Sequence, residues 1–149
     1  MSVGPEKEAK LLLPNKVLLE QVQQYLQQGK SLRIPVKGGS MKPFLLPSDQ
    51  VLLQPVEKGD LQLGLILLAK HEGSLVLHRL VRHNQDGIWL AGDANLAQHE
   101  QLNHSDVLAK AVRIYRGRLE IDLEQWWRAY LGQGWYRARP LRRILKKLF

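Results

Sequence analysis

From Asn15 to Gln28 apolar side chains recur at short helical intervals, at Leu18, Leu19, Val22, Tyr25 and Leu26. That spacing lines one face of an α-helix, with Asn15 placed to cap its start and Gly29 its end. After Gly29 the period changes. Leu32, Ile34 and Val36 alternate with polar neighbours, as in a half-buried strand. Apolar runs follow at 50–56, 63–69, 74–83, 87–91 and 107–115, separated by PSD, EKGD, HEG, NQDG and GDAN, which are turn sequences. Strands this close together, with no helix between them, predict a curled, antiparallel, barrel-like β-domain rather than an α/β unit. Helical spacing returns after Pro140, where Leu141, Ile144, Leu145, Leu148 and Phe149 form one stripe and Arg142, Arg143, Lys146 and Lys147 the opposite face. The predicted chain is mainly β with an amphipathic helix at each end. Residues 1–13 form a flexible lead-in, 14–122 a single β-domain with its N-terminal helix, and 123–149 a basic, tryptophan-rich helical tail.

At 149 residues the chain can bury a core without covalent staples. It has no cysteine, which excludes disulfides, thiolate metal sites and cysteine nucleophiles. The five histidines show no metal-ligand spacing, and no cofactor is called for. No apolar run approaches the ~20 residues of a membrane-spanning helix, and the start of the chain lacks the pattern of a signal peptide. The expectation is a soluble cytoplasmic protein. The net charge of +8 is lopsided, because residues 126–149 hold seven Lys/Arg and no acid, leaving +1 for the rest. That tail fits a helix packed on the domain, or a surface helix touching anionic membrane through 137–149. Nucleic acid is disfavoured, since the body is nearly neutral and no recognition motif accompanies the charge.

The chemistry centres on VKGGSMKPFL, residues 36–45. Gly38 and Gly39 allow a sharp turn and close backbone approach, Ser40 sits at the bend, and Pro43 stiffens the exit. A serine hydroxyl attacks a carbonyl only when a base takes its proton and donors hold the oxyanion. The nearest base candidate is His78, which alternation places on one face of its strand with Val76, Leu80 and Arg82. Imidazole is suited to that role near neutral pH provided a partner fixes its tautomer. Asp93 in GDAN and Glu100 are carboxylates that could do so. Each of these features also has a plain structural reading, as a turn, a core histidine and an Asx turn.

Taken together, GGSMKP, a glycine-aspartate-like element, VLHRLV and GDAN resemble the ordered boxes of the signal peptidase I family, over about residues 31–115. The resemblance implies a β-rich peptidase fold with Ser40 as nucleophile and His78 as general base. It is similar to the histidine type found in archaea and the endoplasmic reticulum, rather than the lysine type of bacterial enzymes and self-cleaving repressors. Neither Lys70 nor Lys110 takes the lysine's place. Met41, Pro43, Arg79 and Asn95 match supporting positions. Of the two downstream acids that the histidine type uses, Asp93 matches the first. Glu100, offset by one, is the nearest equivalent of the second, with Asp106 further on. Asp93 is favoured as structural and Glu100 as the histidine partner.

The chain departs from the family at three points. GDLQLGLILL carries Gly64-Leu65 where a glycine-aspartate pair is usual, no membrane anchor is recognised, and Gly38 stands where a serine or threonine often assists the oxyanion. Stabilisation would then fall to backbone N–H groups of the Gly38-Gly39-Ser40 turn. The expected activity is serine-type endoproteolysis of a peptide or protein precursor, with small residues before the cut as the resemblance implies. The alternative is a catalytically weak or inactive module of the same fold that binds an extended peptide along a sheet edge.

Overall fold

The computed structural model describes residues 15–57, 59–94 and 99–124, with the side chains of 15–18 left aside. Among the described residues, helix α1 (Asn15–Gln27) precedes eight strands: β1 (Leu32–Pro35), β2 (Gln50–Pro55), β3 (Ile66–His71), β4 (Ser74–Asn84), β5 (Gly87–Ala91), β6 (Glu100–Leu102), β7 (Val107–Arg116) and β8 (Leu119–Asp122). All pair antiparallel in one curled sheet of order β1-β2-β7-β3-β4-β5-β6. The long β7 is the hub. β2 covers one of its edges, while β3 and β8 share the other. The mainly β, curled antiparallel architecture is as the periodicity predicts. The expected C-terminal helix, with the rest of the basic tail from 125 on, lies outside the described residues, as does the lead-in 1–13.

Helix α1 buries Val22 and Leu26 against the sheet, with Tyr25 packed beside them. It ends as Gly29 predicts. The Gly29 N–H donates to the Leu26 carbonyl at 3.0 Å and the Lys30 N–H to that of Tyr25 at 3.2 Å. This is a Schellman closure, and it needs the left-handed backbone that Gly29 adopts at φ +75°. Among the described residues no helix is long and apolar enough to cross a membrane.

Two apolar clusters flank the sheet. One joins Val22, Leu26, Val36, Met41, Leu45, Val51, Leu53 and Leu68, and Leu75 and Leu77 pack against it. The other joins Leu67, Leu80, Ile88, Leu90 and Leu102, with Val76 against it. The alternation in SLVLHRLVRH therefore sorts its leucines and valine to two faces, as expected. Three elements differ from the sequence reading. β3 begins three residues late because Gly64, at φ +96°, breaks the run. Its N–H donates to the Leu80 carbonyl, while the Leu80 N–H returns to Leu65, so 64–65 cross β4 out of register with β3. The short strands β6 and β8 were not predicted. β8 is set by a two-residue hairpin at Gly117-Arg118, and β6 has only three residues over which a period could show.

Candidate active site

Three strands and one turn converge on His78. In the sheet, Leu67 lies opposite His78, Leu80 opposite Leu90, and Leu90 opposite Glu100. Residues paired across antiparallel strands point to the same face, and so do residues two apart on one strand. Leu67, His78, Leu80, Leu90 and Glu100 thus share a face, and Glu100 reaches His78 diagonally across β5. Its Oε1 accepts the hydrogen bond of His78 Nδ1–H. The two side chains are 15% and 12% exposed, sheltered enough for the contact to hold against water. With Nδ1 protonated toward Glu100, the other nitrogen is an acceptor. His78 Nε2 lies 3.1 Å from Ser40 Oγ, within reach of the serine hydroxyl proton.

Ser40 is held by the turn that follows β1. Met41 and Leu45 are buried in the core, and the Leu45 N–H donates to the Met41 carbonyl at 2.8 Å. Gly38 adopts φ +72°, a left-handed conformation that resists any side chain, although nothing lies within 4 Å of where a Cβ would stand. The glycine at this position is therefore a backbone requirement of the turn, and a hydroxyl-bearing residue there would be strained. The Lys42-Pro43 bond is cis. Ser40 itself is exposed, and among the described residues no backbone carbonyl accepts its N–H.

Gly92 is the residue that sequence reasoning missed. The register Arg79 opposite Ala91, continued by one step, puts Gly92 opposite His78. A Cβ on Gly92 would stand 2.6 Å from the Ser40 carbonyl oxygen, 3.2 Å from Ser40 Cβ and 3.3 Å from His78 Nε2. Only a residue without a side chain lets the serine turn and the imidazole meet here. The next turn fastens the contact, since the Ala94 N–H donates to the Ser40 carbonyl at 2.8 Å. The cue was the glycine directly ahead of Asp93, at the end of a short strand.

Asp93 and Arg79 have a different task. The guanidinium donates through Nε and one terminal nitrogen to the two carboxylate oxygens, at 2.8 and 2.6 Å. Its other terminal nitrogen donates to the Gly64 carbonyl at 2.7 Å, and its face lies 4.6 Å from the Phe44 ring centre. Arg79 and Asp93 are each about 1% exposed. Asp93 thus locks the glycine turn to β4, while Glu100 is the carboxylate at the imidazole. Asp106 belongs to a 3-10 turn, where its carboxylate accepts the Asn103 N–H. Asn95 lies outside the described residues.

A second ion pair, between the partly exposed Arg116 and the buried Asp49, braces the exit of the serine turn. Arg116 donates to both oxygens of Asp49, at 2.8 and 2.7 Å, and to the Phe44 carbonyl at 3.0 Å. Burial pushes the Asp49 carboxyl up. The bonds from Arg116 and from the Leu46 N–H, with the Arg116 charge, outweigh burial and hold it below the ordinary carboxylate range.

An apolar groove of about 270 Å³ opens beside Ser40 and His78. Ile34, Val36, Leu75 and Leu77 line its walls, with Leu68 and Val22 also lining it. Chemically, the ensemble is an exposed hydroxyl on a basic nitrogen, a carboxylate on the far side of the ring, and an apolar trough alongside. No protein-family model matches the chain, and no curated protein sequence matches it.

Proposed function

We propose that the chain is a serine endopeptidase of the histidine-base type, resembling signal peptidase I in the order of its boxes, that cuts a peptide or protein precursor. The observation that carries this reading is the Ser40 Oγ–His78 Nε2 separation of 3.1 Å, with Glu100 on the opposite ring nitrogen. Nucleophile, base and orienting acid in hydrogen-bonded sequence are the arrangement that acyl transfer requires.

In this mechanism His78 Nε2 takes the hydroxyl proton as Ser40 Oγ bonds to the peptide carbonyl carbon. Glu100 stabilises the imidazolium through Nδ1–H. The oxyanion is met by backbone N–H groups of the serine turn, that of Ser40 first among them. As the carbon–nitrogen bond breaks, the imidazolium gives its proton to the departing amine and an ester on Ser40 remains. A water then loses a proton to His78 and attacks that ester, and the proton returns to Ser40 Oγ as the carboxylic acid leaves. Gly92 sets the distance between turn and ring, and the Arg79–Asp93 pair keeps Gly92 in place.

Mass-spectrometric profiling of a diverse peptide pool, incubated with wild type and Ser40→Ala, tests the activity. Cleavage present in wild type and abolished in the variant supports the proposal. Cleavage that persists in Ser40→Ala means another nucleophile, and a pool left intact by wild type favours a peptide-binding module instead.

A further inference from the structure

We infer that the groove beside Ser40 takes an extended peptide carrying a large aliphatic side chain next to the bond to be cut, rather than the small residues that the family resemblance implies. The inference rests on Ser40 being the reacting residue, since that fixes which bond lies beside the groove.

Size is the first argument. A single water fills ~10–15 Å³ on the scale by which this groove measures about 270 Å³, so it has room for many waters. A methyl side chain would leave most of that space as water held against aliphatic walls. Those walls, Ile34, Leu75 and Leu77, are only half-buried, so the groove leaves part of their apolar surface exposed to solvent. Covering such surface is favourable in proportion to the area removed from water. A leucine-sized side chain covers more of those walls than a methyl group does.

Backbone edges are the second argument, and they select an extended peptide over a compact apolar ligand. Among the described residues β1 pairs with β2 alone, so its other edge has no strand partner. On β4, residues 74–78 pair with β3, whereas β5 takes up pairing only from Arg79. Among the described residues, the two strands that supply the groove's walls thus both carry edges without a strand partner, where a peptide main chain can add its hydrogen bonds. Affinity from the main chain and selectivity from the trough would be separable.

The test uses Ser40→Ala, in which no acyl-enzyme forms, titrated by fluorescence anisotropy with two labelled peptides that differ only in leucine or alanine at the positions preceding the cut. The expected result is binding at least ~10-fold tighter for the leucine peptide. Ile34→Trp and, separately, Leu75→Trp narrow the groove and should erase the preference, with circular dichroism confirming that each variant is folded. Equal affinity, a preference for alanine, or no binding of either peptide overturns the inference. Exposure of both peptides to the wild-type protein separates it from the peptidase reading. A leucine preference without cleavage retains the groove assignment and removes the activity, whereas faster cleavage of the alanine peptide removes the groove assignment and retains the activity.

Discussion

Arg79 and Asp93 meet through two hydrogen bonds, of 2.8 and 2.6 Å, at about 1% exposure each. They are sequence neighbours of His78 and Gly92, so the pair fastens the strand of His78 to the turn that clears space for it. A buried ion pair is not by itself a large net source of stability, but removing one partner strands the other charge in an apolar interior, at a cost of ~3–5 kcal/mol. Arg79→Met and Asp93→Ala should each lower unfolding free energy by about that much in denaturant titrations. A loss under ~1 kcal/mol in either would show that the pair does not brace the site.

Gly92→Ala probes the clearance directly. Its methyl would stand 2.6 Å from the Ser40 carbonyl oxygen, and the contact can be relieved only by moving the serine turn or the imidazole. Overpacking of this kind costs ~1–3 kcal/mol in stability. Reaction at Ser40 should fall far more steeply, by ~10²-fold, because a displacement near 1 Å is enough to misalign nucleophile and base. A variant that reacts at the wild-type rate would mean that Gly92 sets no distance that matters.

Glu100→Gln keeps the shape of the side chain and removes its charge. The amide no longer stabilises the imidazolium and can favour the wrong ring tautomer, so the rate of Ser40 modification should fall by ~10²–10⁴-fold with little change in thermal stability. Asp93→Asn should instead show its main effect in stability. If the two variants exchanged these signatures, the assignment of the acids would be reversed.

Asp49 predicts a pH effect that is independent of catalysis. Its carboxyl is held below its ordinary value by Arg116 and the Leu46 N–H, against the upward push of burial. The folded value then lies below the unfolded one. The stability contribution is therefore complete above the unfolded carboxylate value and is lost as pH falls through the folded value. Thermal melts from ~pH 7 down to ~pH 2 should show wild type losing stability more steeply than Asp49→Asn, because the amide has no proton to take up. Parallel pH profiles would contradict the linkage.

Much of this fold and site is legible in the residues, for physical reasons that differ from place to place. The alternation through Leu75, Leu77 and Arg79 against Val76, His78 and Leu80 follows from the pleat, and one sequence carries all of it. GGS marks a bend because few other residues permit one. Two kinds of information were not local. Which carboxylate reaches His78 depends on the β4-β5-β6 register, which places Glu100 diagonally across β5, and no single segment encodes that offset. Gly92 was hidden for the same reason, since its role is defined by Ser40, a residue distant in sequence. Gly38, by contrast, reads in sequence as a missing hydroxyl, yet its φ of +72° makes it a requirement of the turn.

The central claim is that His78 activates Ser40. A fluorophosphonate probe applied over ~pH 6–9, with the adduct located by peptide mass spectrometry, tests it most directly. The account predicts a single adduct on Ser40 in the folded wild type, lost in Ser40→Ala and slowed by ~10²-fold or more in His78→Ala. Absence of labelling in the wild type, or an adduct on another serine that ignores both substitutions, would contradict it.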